Sequence, residues 1–349
     1  MKGKSRAKSR AKEEGLAGLN LLTLVKWSGR KDSNLRPSGP KPDALPGCAT
    51  PRLNRILTAG MARISSAAQI ATTVHEPSQE QLARCNPVSA KVTGMRKNNG
   101  LALPWLSPGE PFPTVDQTWG ADSGAPGLLA AGGQLDVPTL CTAYGQGIFP
   151  WFSDGQPILW WSPDPRMVLT VANFRLHQSL RKTLRRFRQS GSCEIRFDSV
   201  FAQVVHQCAT HKRAGSDGTW IVPEMQLAYL DLHRAGFAHS VETWIDGQLV
   251  GGLYCVALGQ AVFGESMFSS RPDASKIALA ALVCFCRVHG IAHIDCQQNT
   301  RHLASMGATE MSRSAFLANS TQAMRRPAPL WNFDTLYWHE FLPERLAHQ

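Results

Sequence analysis

Two short stretches place polar groups inside otherwise apolar strands. In "VFGESMF" (262–268) the carboxylate of Glu265 is flanked by Phe263 and Met267. Strand side chains alternate between faces, so all three are expected to share one face. A carboxylate in that company needs a cation, supplied either by an arriving substrate or by an internal arginine such as Arg271 or Arg301. In "HIDCQ" (293–297) Asp295 and Gln297 are expected on one face, with Cys296 opposite. If the two strands are neighbours, two carboxylates and an amide converge, a trio able to bind an amine, orient it and relay its proton. The alternative for Asp295 and Gln297 is a polar strand end that caps the next helix.

Two further stretches suit a nucleic-acid partner. "GIFPWFSDGQPILWWSPDPR" (147–166) holds Trp151, Trp160 and Trp161 between prolines, which serves either a packed core or a platform for a stacked base. In "LHQSLRKTLRRFRQSG" (176–191), Leu176, Leu180, Leu184 and Phe187 fall at helical spacing, with Arg181, Lys182, Arg185, Arg186 and Arg188 on the other faces. From Arg166 to Arg213 there are ten Lys/Arg against two Asp/Glu, a local excess suited to phosphates; the alternative is a solvated helix face.

The elements that must position these groups can be read in order. A helix begins near Asp136-Val137-Pro138 and ends at Gly145 or Gly147, packing Leu140 and Tyr144 on one face. Strands follow in "PILWWS" and "MVLTV", then the basic helix, then a helix over 223–236 opened by Pro223 and closed by Gly236. Residues 239–269 read as an antiparallel meander with turns at Asp246-Gly247 and Gly259-Gln260. Residues 273–290 form a helix apolar almost all round, capped by Asp273 or Ser275 and closed by Gly290. A strand at 291–297 and a helix from Arg301 complete the series.

Meander, helix, strand, helix is the order of the N-acyltransferase (GNAT-like) fold, so the fold class expected is α+β. A small N-terminal α/β domain (99–164) precedes a GNAT-like domain (165–335) and a C-terminal tail (336–349). Acetyltransferases of this fold seat coenzyme A pyrophosphate on a Gly-rich turn before the buried helix. The matching loop here, "SSRPDASKIA", has no glycine, which disfavours acetyl-CoA as donor.

Composition limits the remaining readings. The 349 residues carry a net charge of +11, but residues 1–98 hold 18 Lys/Arg against 6 Asp/Glu, whereas the rest hold 19 against 20. Residues 1–98 lack sustained periodicity and are expected to be disordered or a spurious basic extension upstream of a start at Met61 or Met95; the alternative is a basic tail that holds RNA. Nine cysteines without a C-x-x-C pair suit free thiols in a reducing compartment rather than a metal site. The longest apolar run after residue 98, "IALAALVCFC", is half the length of a membrane span.

From Gly127 to Trp331 the chain resembles the leucyl/phenylalanyl-tRNA–protein transferase family, through "GLLAAGGQL", "AYGQGIFPWF", "PILWWSPDPR", "GTWI", "AHSVETW", "LVGGLYCVALG", "FGESMFS", "ASKIAL", "IDCQ" and "HLASMGA". The resemblance implies transfer of leucine or phenylalanine, and in some cases methionine, from aminoacyl-tRNA to proteins with N-terminal Lys or Arg, creating a degradation signal. It implies a cytoplasmic, membrane-free, monomeric enzyme with no cofactor. By motif, Trp151, Trp220 and Tyr229 would serve the aminoacyl-adenosine end, and Phe263 and Met267 the apolar aminoacyl pocket. Glu265 would hold the acceptor's positive side chain, and Asp295 and Gln297 would assist deprotonation of its α-amine. The five basic residues of the 176–191 helix would contact tRNA. Some members carry an asparagine where this chain has Thr300, with Asn299 beside it. The rival readings are an acetyl-CoA N-acetyltransferase and a non-catalytic RNA-binding module.

Overall fold

A computed structural model describes residues 103–211 and 221–343. The N-terminal part builds a small sheet from β1 (Trp105–Leu106), β2 (Leu128–Gly132), β3 (Phe149–Pro150) and β4 (Leu159–Trp161), in the order β1-β2-β4-β3. Helix α1 (Val137–Gly145) joins β2 to β3 and starts as its sequence demands. Pro138 sits in the first turn, and the Asp136 carboxylate accepts from the Thr139 amide at 3.0 Å.

The larger sheet comprises β5 (Arg166–Thr170), β6 (Cys193–Phe197), β7 (Ala238–Ile245), β8 (Gln248–Leu258), β9 (Ala261–Ser269), β10 (His293–Asp295) and β11 (Thr309–Met311), in the order β11-β5-β10-β9-β8-β7-β6. The expected meander is β7, β8 and β9. Asp246 and Gly247 both take positive φ, 54° and 70°, the primed turn that matches strand twist. Among the described strands of this sheet only β9 and β10 pair in parallel, and their pairing stops at Asp295 opposite Phe263. Beyond that point β9 runs on to Ser269, while the chain after β10 turns away at Gln297, where φ is 54°. The two strands therefore part next to Glu265.

Two apolar layers cover this sheet. One holds α1, α3 (Phe201–Thr210), α4 (Pro223–Arg234), the small sheet and Phe316 of α7 (Arg313–Met324). The other holds α2 (Gln178–Gln189), α5 (Ala274–Val288) and Trp338 and Phe341 of the C-terminal segment. Helix α5 is buried all round, as its composition requires: eleven of its fifteen residues are buried. Each large aliphatic such as Ile277 or Leu282 contributes roughly 1.5–3 kcal/mol by leaving water.

The structure corrects several local expectations. Asp273 occupies the cap position of α5 in a left-handed conformation, but its carboxylate takes Lys276 Nζ at 2.9 Å instead of a helix amide. Leu176 lies before α2 and is only partly buried. Strand β6 with helix α3, and β11 with helix α7, fill stretches for which no element was expected. The basic extension 1–98, the candidate starts Met61 and Met95, and Trp220 lie outside the described residues.

Candidate active site

Glu265 sits in a β-bulge. Tyr254 of β8 pairs with Ser266 and Cys255 with Gly264, which leaves Glu265 as the extra residue. The bulge breaks strict alternation and so corrects the expected shared face: Phe263 packs in the layer of α1 and α4, whereas Met267 packs against the opposite layer, that of α5. Glu265 points to the Phe263 side, where Tyr144 of α1 donates to Oε1 at 2.8 Å and Tyr229 of α4 donates to Oε2 at 2.7 Å. The two hydroxyls stand 3.1 Å apart, and the Tyr144 ring leans on Phe263 at 5.1 Å.

No arginine pairs with Glu265 among the described residues, and Arg271 reaches Asp246 instead. Burial pushes the Glu265 carboxyl up to about 7; the two tyrosine donors oppose that rise, Asp295 adds to it and Arg166 reduces it. Burial and the neighbouring Glu265 charge hold both phenols protonated, well above their usual range. The site is thus a carboxylate with two neutral donors and no ion-paired cation among the described residues. Tyr229 is wholly buried, with its hydroxyl committed to Glu265, so its ring is not an open stacking surface.

Asp295 is differently placed. Arg166, at the start of β5, donates from Nε to Oδ1 at 2.8 Å and from Nη2 to Oδ2 at 2.6 Å, and both residues are almost completely buried. This bidentate pair is the charge-assisted geometry best suited to a carboxylate. Oδ1 also accepts from the Gln297 amide at 3.0 Å. Asp295 and Gln297 therefore do not simply project from one strand face, because the strand ends at Asp295 and Gln297 turns in the left-handed region. The Gln297 carbonyl accepts from Met167 N at 3.3 Å, while its side-chain Nε2 is buried and has no hydrogen-bond partner among the described residues. Thr300 caps α6 (Arg301–Ser305) through the Leu303 amide at 3.2 Å, and Asn299 donates to Glu310 at 2.9 Å.

The tryptophans divide by burial. Trp160 is fully buried, donates to Gly132 O at 2.8 Å and packs edge-on to Phe112; Trp161 is buried and donates to the Trp151 carbonyl at 2.7 Å. Trp151 is only partly buried, with its ring 5.3 Å from that of Trp161. The basic residues of α2 divide as well. Arg181 donates to Phe341 O at 2.6 Å and the exposed Arg188 to Leu342 O at 3.0 Å, fastening the C-terminal segment, whereas the exposed Lys182, Arg185 and Arg186 make no such bond among the described residues. Helix α2 packs in the α5 layer, on the opposite face of the sheet from the tyrosines.

Two residues central to this geometry had no assigned role in the sequence reading. Arg166 closes "SPDPR" just ahead of an apolar strand, and that position was its only signal. Tyr144 reads as one more packing residue of α1.

A seven-stranded sheet that parts at one parallel pair, with a buried helix leading into the second strand, is the GNAT-like fold, which by itself fixes no activity. Residues 168–321 match the family model described as leucyl/phenylalanyl-tRNA protein transferase, and residues 133–164 match the model of its N-terminal domain. The chain is 61% identical over 246 residues to the leucyl/phenylalanyl-tRNA–protein transferase of Albidiferax ferrireducens, covering 70% of this chain and 97% of that protein. It is 62% identical over 240 residues to that of Polaromonas sp. strain JS666, covering 69% and 94%. Among solved structures, L-PGS from Bacillus licheniformis aligns with a TM-score of 0.32 at 12% identity, over 55% of this chain and 71% of that one. The chain belongs to the leucyl/phenylalanyl-tRNA–protein transferase family and is an aminoacyltransferase, moving leucine or phenylalanine from aminoacyl-tRNA to protein. No helix among the described residues is long and apolar enough to cross a membrane.

Proposed function

We propose that Glu265 selects the acceptor: the Lys or Arg side chain at the protein's N-terminus supplies the cation that the tyrosine-bracketed carboxylate lacks. The observation that carries this reading is the half-buried carboxylate held by Tyr144 and Tyr229 with no ion-paired cation among the described residues, beside the point where β9 and β10 part.

An aminoacyl ester is already activated, so the enzyme's task is mainly to position the reactants. The neutral α-amine attacks the ester carbonyl carbon, a C–N bond forms, and the C–O bond to the terminal ribose breaks. The proton lost by the amine ends on the released ribose hydroxyl. Gln297, whose side-chain Nε2 has no hydrogen-bond partner among the described residues, orients the amine or the carbonyl, and Asp295 supports Gln297. An amide is too weak a base to serve alone, which favours proton passage through the ribose hydroxyl itself. Phe263 lines the aminoacyl pocket. Trp151 and Trp220 meet the adenosine end, and Lys182, Arg185 and Arg186 contact tRNA phosphates. This reading makes the enzyme a monomer of the cytoplasm, where its donor is formed.

Incubation with labelled Leu-tRNA, Phe-tRNA or acetyl-CoA and an Arg-initiated peptide tests the reading. Label passes to the peptide from the two tRNAs; transfer from acetyl-CoA alone overturns it.

A further inference from the structure

Arg166 is the largest charged side chain buried completely in the described structure, and nothing assigns it a task. Its guanidinium lies between the rings of Phe149 and Phe316, at 4.8 and 4.6 Å from their centroids. Nη1 donates to the Gly147 carbonyl at 3.1 Å, and Nε and Nη2 grip Asp295. A buried ion pair adds little net stability over apolar residues of similar volume, because desolvation offsets the attraction. What it does supply is a fixed geometry.

That geometry converges on one turn. Asp295 Oδ1, oriented by Arg166 Nε, accepts the Gln297 amide, and Gln297 is thereby held at φ 54°. The adjacent Met167 backs the same turn from the main chain, accepting from Cys296 N at 2.9 Å and donating to Gln297 O. Through Gly147 the guanidinium also joins this turn to "GIFPW", which carries Trp151. Both Asp295 oxygens carry guanidinium N–H groups, so this carboxylate is occupied as a clamp.

We infer that Arg166 is a positioning residue for aminoacyl transfer, acting through Asp295 to set the Gln297 turn. The inference rests on the reading of Gln297 as a reaction-site group.

The test is a cycle of Arg166→Met, Asp295→Asn and the paired variant, with Arg166→Lys beside it, scored by kcat and KM for Phe-tRNA and for an Arg-initiated peptide. The paired variant removes both charges together, so it leaves no uncompensated buried ion and keeps the fold. Arg166→Lys keeps the charge but loses the fork. It lowers kcat about tenfold or more and leaves the KM for Phe-tRNA within about twofold, since misplacement of a positioned group by 1 Å can cost roughly 100-fold. The paired variant is no slower than Asp295→Asn alone, as expected when one residue acts through the other. Losses that multiply in the pair, or an Arg166→Lys enzyme with unchanged kcat, overturn the inference. A fall in KM terms and thermal midpoint with kcat intact makes Arg166 merely structural and overturns it too. If Asp295→Asn itself keeps full kcat, the reading of the site fails instead.

Discussion

The Tyr144 hydroxyl donates to Glu265 Oε1 at 2.8 Å across 121 positions of the chain, joining helix α1 to the bulge of β9. This contact keeps a half-buried carboxylate solvated by protein. Tyr144→Phe leaves Oε1 without its donor, which costs about 1–3 kcal/mol in urea unfolding at pH 8. It also raises the Glu265 carboxyl further above its usual range, so the acceptor KM reaches its minimum at higher pH than in the parent enzyme. Unchanged stability and an unchanged pH profile count against the bond.

Protonation of Glu265 gives a second prediction. The folded carboxyl titrates near 7 and the unfolded one near 4.5, so the unfolded chain releases its proton first as pH rises. The stability tied to the protonated carboxyl is therefore full below 4.5 and lost as pH rises through about 7. Glu265→Gln escapes that loss. It is more stable than the parent by on the order of 1–3 kcal/mol at pH 8, with the gap shrinking as pH falls toward 5. Thermal scans across this range check the sign; a gap that widens toward acid pH contradicts it.

The basic helix should split into two groups. Replacing Lys182, Arg185 and Arg186 together by glutamine lowers the log–log salt slope of tRNA affinity by about two to three, at roughly 0.7–0.9 per phosphate contact. Arg181→Gln and Arg188→Gln leave that slope alone and instead lower the thermal midpoint by about 2–4 °C, because they loosen the C-terminal segment they fasten. Titration at several KCl concentrations beside a thermal scan separates the two groups.

Much of the frame is local chemistry and so was legible in the sequence. Asp136 with Pro138 marks the start of α1, Asp246-Gly247 admits one hairpin turn, and the apolar composition of α5 forces its burial. The polar centre was legible as residue types but not as partners. Arg166 and Asp295 are 129 positions apart, and no periodicity announces such a bond. The bulge at Glu265 inverts the side on which Met267 falls, since one inserted residue shifts a period of two. Arg181 and Arg188 looked equivalent to their neighbours because their partners are main-chain carbonyls beyond residue 340. The edge strand β6, "CEIRF", shows only partial burial and so a weak alternation signal.

The account stands most directly on acceptor choice by Glu265. Transfer from Phe-tRNA to peptides that begin with Arg, Lys, Leu or Ser is to be measured for the parent and for Glu265→Gln, together with Phe-tRNA affinity. The account predicts that kcat/KM for the Arg and Lys peptides falls about 10- to 100-fold, as expected for loss of a charge-assisted contact worth about 1.5–3 kcal/mol, while tRNA affinity stays within about twofold. An intact preference for Arg and Lys, or an equal loss of tRNA affinity, would contradict it.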